Sequence, residues 1–96
     1  MNLLDDITEK LDEWEEAAKA ALGISGVTKD HQIDIKDYIR EHHEQEIKED
    51  IDRLAAFQAT VESRLDDEHI SPDGREEVEH ILKKIEELIE RLKDLL

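Results

Sequence analysis

Ninety-six residues carry 28 acids against 13 bases, a formal charge of −15, which excludes the positive field that nonspecific binding to nucleic acid or to an anionic membrane surface needs. The chain has no cysteine, so a disulfide framework, a thiolate metal site and a cysteine nucleophile are excluded too. Aromatics are limited to Trp14, Tyr38 and Phe57 while 43% of residues are charged; with Leu, Ile, Val and Ala at helical spacing, this profile predicts an all-α chain with a narrow core, of the helical-bundle or coiled-coil kind.

Gly23 and Gly26 form one turn cluster and Pro72 and Gly74 the other, which divides a single domain, residues 1–96, into three helices. The first runs from about residue 2 to 22. Leu4, Ile7, Leu11, Trp14, Ala18 and Ala21 step by three and four, as a coiled-coil seam does. Asn2 is placed to cap it, Asp5 and Asp6 suit the positive end of the helix dipole, and Gly23 is placed to stop it. The small Ala17, Ala18, Ala20 and Ala21 permit close approach by another helix. Ile24 and Val27 in the following irregular stretch are expected to pack inward, and Thr28 or Asp30 to cap the next helix.

The second helix is expected over about residues 33–69, and its apolar stripe changes direction partway. Ile47, Ile51, Leu54, Gln58, Val61 and Leu65 hold one face. Ile35, Tyr38 and Ile39 lie on a face about 100° round from it, at about 100° per residue. No Gly or Pro interrupts the segment, so an unbroken helix is the expectation; a break near His42 to Glu46, giving a compact four-helix monomer, is the rival. The third helix is predicted over about residues 72–96, with Ser71 as cap and Pro72 at the first helical position. Its broad stripe is Val78, Ile81, Leu82, Ile85, Leu88, Ile89, Leu92, Leu95 and Leu96.

An unbroken second helix would span about 55 Å, against about 30 and 35 Å for its neighbours, at 1.5 Å per residue. Short connections make neighbours antiparallel, so the third helix should cover Ile47 to Leu65 and the first should lie nearer the other half. Each would leave one side of the long helix bare. The expectation is therefore a three-helix antiparallel bundle completed by homodimerisation, with Ile35, Tyr38, Ile39 and Phe57 near the interface.

Between the two stripes stand His42, His43, Glu46, Glu49 and Asp50, at spacings of three and four that let them share a helical flank. Helix three adds Glu77 and His80 in a Glu-x-x-His spacing, by which one turn supplies two ligands to a metal pair. Imidazole and carboxylate together suit Fe or Zn. On an antiparallel hairpin Glu77 and His80 would fall about 20 Å from His43 and Glu46, so a partner chain would have to bring them together. Glu76-Glu77-Val78-Glu79-His80 is similar to a five-residue stretch in ferritin-like proteins that ride inside encapsulin shells, which implies an iron site formed between protomers. His42-His43-Glu44-Gln45-Glu46 resembles a fragment of the haemerythrin pattern, without the other histidines at that family's spacings. The plainer reading is that these His residues are exposed or paired with nearby carboxylates, with His31 and His69 serving helix ends.

No nucleophile motif surrounds Ser25, Ser63 or Ser71, and no Gly-rich phosphate loop is present. An enzyme is not expected, nor is a cofactor beyond a possible Fe or Zn. The leading expectation is a non-catalytic helical module for protein–protein interaction or assembly, a homo-oligomer with a possible further protein partner, binding neither nucleic acid nor membrane. No apolar run approaches the roughly 20 residues of a membrane span, and the start Met1-Asn2-Leu3-Leu4-Asp5-Asp6 is unlike a signal peptide, so a cytoplasmic location is expected. Three alternatives stand beside it. One is the carboxylate and His metal-binding, ferritin-like protein. Another is an acidic mimic of nucleic acid, with Asp34, Asp37, Glu41, Glu44, Glu49 and Asp52 as its row of charges. The last is a designed helical bundle, to which the regular third helix would belong.

Overall fold

The computed structural model describes residues 2–24 and 28–96, and every described element is helical. Helix α1 is Leu3–Leu22, α2 is Lys29–Glu62, a short 3₁₀ turn follows at Ser63–Asp66, and α3 is Pro72–Lys93. Of the two apolar residues expected to pack between α1 and α2, Ile24 is half-buried against the core; Val27 lies outside the described residues.

The helix ends follow local chemistry. Asn2 Oδ1 accepts from the Leu4 N–H at 2.8 Å, Thr28 Oγ1 from the His31 N–H at 3.4 Å and Ser71 Oγ from the Gly74 N–H at 3.0 Å. Each satisfies a donor that a helix start leaves free. At the end of α1, Gly23 turns left-handed (φ 69°) while its N–H reaches the Ala20 carbonyl and the Ile24 N–H reaches that of Lys19. This is a Schellman closure. The second helix starts four residues earlier than expected and ends seven earlier. Past Glu62 the chain tightens into the 3₁₀ turn, and Asp67 Oδ1 accepts from the His69 N–H at 2.9 Å, a local side-chain turn that competes with continued helix.

Cross-helix pairs give the directions. Lys10 and Trp14 of α1 meet Asp50 and His43 of α2, so rising numbers in one meet falling numbers in the other. Asp94, just past α3, reaches back to Lys36 at 3.7 Å, and Arg91 of α3 pairs with Asp12 and Glu15 of α1. α2 is thus antiparallel to both neighbours, which run parallel to each other. The molecule measures 53 × 24 × 23 Å, its length close to the roughly 51 Å that 34 helical residues span.

The core is one contiguous cluster. α1 buries Leu4, Ile7, Leu11, Trp14 and Ala18, and α3 with its following turn buries Val78, Ile85, Leu88, Leu92 and Leu95. Ala21 and Leu96, expected in these stripes, are exposed. From α2 come Ile35 and Ile39 together with Ile47, Leu54 and Val61, so both stripes enter the same core.

This overturns the unbroken helix. The backbone of α2 leaves helical geometry at His43 (φ −134°, ψ 20°), between the two stripes. Neither Gly nor Pro causes it. The Nδ1 of His42 donates to the Tyr38 carbonyl at 2.8 Å, the acceptor that the backbone N–H of residue 42 uses in an undisturbed helix, and its ring stacks on Tyr38 at 4.0 Å. A side chain entering the i to i−4 ladder is a recognised cause of kinks. On the other side His43 stacks flat on Trp14 of α1. The change of stripe direction is therefore met by a bend within one chain, as in the rival arrangement, though the chain keeps three helices. α3 also extends beyond Ile47, and α1 crosses the junction between the two halves of α2.

Candidate interaction surface

The large apolar side chains left exposed among the described residues fall at one end of the molecule, where α1 finishes, α2 begins and the chain leaves α3. Leu22, Ile33 and Leu96 are 41%, 61% and 45% exposed there, the large apolar side chains that the fold leaves most open. The three helices also border a groove of about 210 Å³. Its apolar lining comes from Leu11, Ile35, Ile39 and Leu95, all largely buried in the core, and the rest from the polar Glu15, Gln32, Lys36, Arg91 and Asp94. Two ion pairs close its sides: Arg91 to Glu15 at 3.4 Å ties α3 to α1, and Lys36 to Asp94 at 3.7 Å ties α2 to the end of α3. The helical stripes account for this shape. Leu11, Ile35, Ile39 and Leu95 turn inward at their helical spacings, while Ile33 falls on the outer side of α2, two residues and about 200° from Ile35.

Ile35 and Ile39, expected at an interface with a second copy, are spent on the chain's own core, each 4% exposed. Tyr38 and Phe57 are half-buried against it. Sequence reasoning missed Ile33 as a surface residue, although its place off both stripes of α2 was a usable signal.

The polar cluster is distributed rather than gathered. His42 and His43 lie against Tyr38 and Trp14. Glu46 and Glu49 are exposed, as are Glu77 and His80 on α3, where Glu77 borders a shallow cleft with Arg64 and Asp67 at the far end. Among the described residues no group of three or more His, Asp or Glu is placed to hold one metal ion.

Asp50 has a different surrounding from the one expected. It is buried, 2% exposed, and accepts from Lys10 Nζ at 3.1 and 3.4 Å through its two oxygens, with Arg53 at 3.9 Å. Glu46 adds a longer contact to Lys10 at 3.9 Å, and Lys10 also stands 5.6 Å over the Trp14 ring. The signal was present in the spacing, since Asp50 is three residues after Ile47 and four before Leu54, both on the buried stripe. Lys10 is the feature that only the fold reveals.

The acid row on α2 is interrupted by cations. Asp37 is held by Arg40 at 2.7 Å and Glu44 by Lys48 at 3.2 Å. On α1 the exposed acids Asp5, Asp6, Glu9, Asp12, Glu13 and Glu16 cover the outer face more densely. No helix among the described residues is long and apolar enough to cross a membrane. Searches with the chain against protein-family models, curated proteins and solved structures find no match.

Proposed function

We propose that this chain is a non-catalytic helical module for protein–protein interaction or assembly. The observation that supports the reading is the end of the molecule on which Leu22, Ile33 and Leu96 are exposed. Scattered apolar residues are ordinary on protein surfaces, but three large ones left open at the same end of a short acidic chain are where a contact can bury apolar surface. The chemistry-bearing side chains are meanwhile engaged in structure: His42 on a backbone carbonyl, His43 on Trp14, Asp50 on Lys10.

Photo-crosslinking in cells that produce the protein tests this. A photoreactive residue replacing Ile33 should give a discrete protein adduct, and the same residue replacing Glu9, on the acid face of α1, should not. No adduct at position 33, or equal labelling at both positions, would overturn the reading.

A further inference from the structure

We draw no further inference here: the strongest candidate, the apolar end of the molecule where Leu22, Ile33 and Leu96 are exposed, belongs to the interaction surface already described, and nothing in the structure shows what covers it.

Discussion

The imidazole of His43 lies flat against the indole of Trp14, with ring centroids 4.4 Å apart and planes 10° from parallel. It joins the residue where α2 bends to the centre of α1's buried stripe. Removing the imidazole in His43→Ala should cost about 0.5–1.5 kcal/mol, the range for a stacked pair beyond its buried area. It should also shift Trp14 emission to the red as one face of the ring meets water. Trp14→Ala removes the stack and a buried core residue together and should cost about 3–5 kcal/mol. Urea unfolding followed by circular dichroism and by fluorescence checks both; equal losses for the two variants would count against the stack as a separate contribution.

The Lys10 and Asp50 pair behaves differently from an ordinary surface bridge, because the acid is almost fully enclosed while the amine is 31% exposed. Lys10→Met strands a buried carboxylate with only the more distant Arg53 and should cost about 2–4 kcal/mol, somewhat reduced by that second cation. The double variant Lys10→Met with Asp50→Leu should recover most of the loss or exceed the parent, since apolar packing replaces an ion pair whose desolvation was expensive. A double-mutant cycle measured by chemical denaturation gives the coupling; additive losses would show that the two residues act independently.

At Gly23 the backbone is left-handed and a Cβ would meet nothing within 4 Å, so space is not the constraint there. Conformation is. Gly23→Ala should cost about 1 kcal/mol and Gly23→Asn less, because Asn tolerates this region better. Thermal unfolding of the pair separates backbone strain from crowding, which would instead penalise the larger Asn.

Leu54 and Ile33 sit on the same helix with opposite surroundings, one fully enclosed and the other largely open. Leu54→Ala should cost about 2–5 kcal/mol. Ile33→Ala should change the stability of the single chain by no more than about 0.5 kcal/mol. Denaturation in dilute solution checks the contrast, and a large loss at Ile33 would mean that its surroundings are closer than the exposed side chain indicates.

The parts of this fold that were readable in the sequence are those fixed by neighbours in the chain. Asn2, Gly23, Ser71 and Pro72 act within four residues of themselves, and the stripes of α1 and α3 repeat at the helical period. The bend in α2 left a trace, the change of stripe direction, but not its cause. That cause joins a side-chain bond from His42 to the Tyr38 carbonyl with a stack on Trp14, which is 29 residues distant in the chain. Without a Gly or Pro to mark it, the trace in the sequence is equally compatible with a partner chain. Asp50 shows the same divide: its place on the buried stripe was readable, whereas the cation opposite it depends on how α1 settles. The apolar end became visible only when Leu22, Ile33 and Leu96, far apart in sequence, were assembled by three helices.

Helices with coiled-coil spacing are prone to sliding, because a shift of one turn replaces each leucine or isoleucine by another of similar shape. Lys10 and Lys19 are the only cations in α1, nine residues apart. A one-turn slip would carry Lys10 about 5.4 Å along the axis, leaving a carboxylate in the core with no amine against it. The pair at 3.1 Å thus distinguishes one alignment of α1 from its near-copies. Its worth lies less in strengthening the native packing than in making the neighbouring alignments untenable, and a chain relieved of it by apolar substitution should fold tightly but into more than one register.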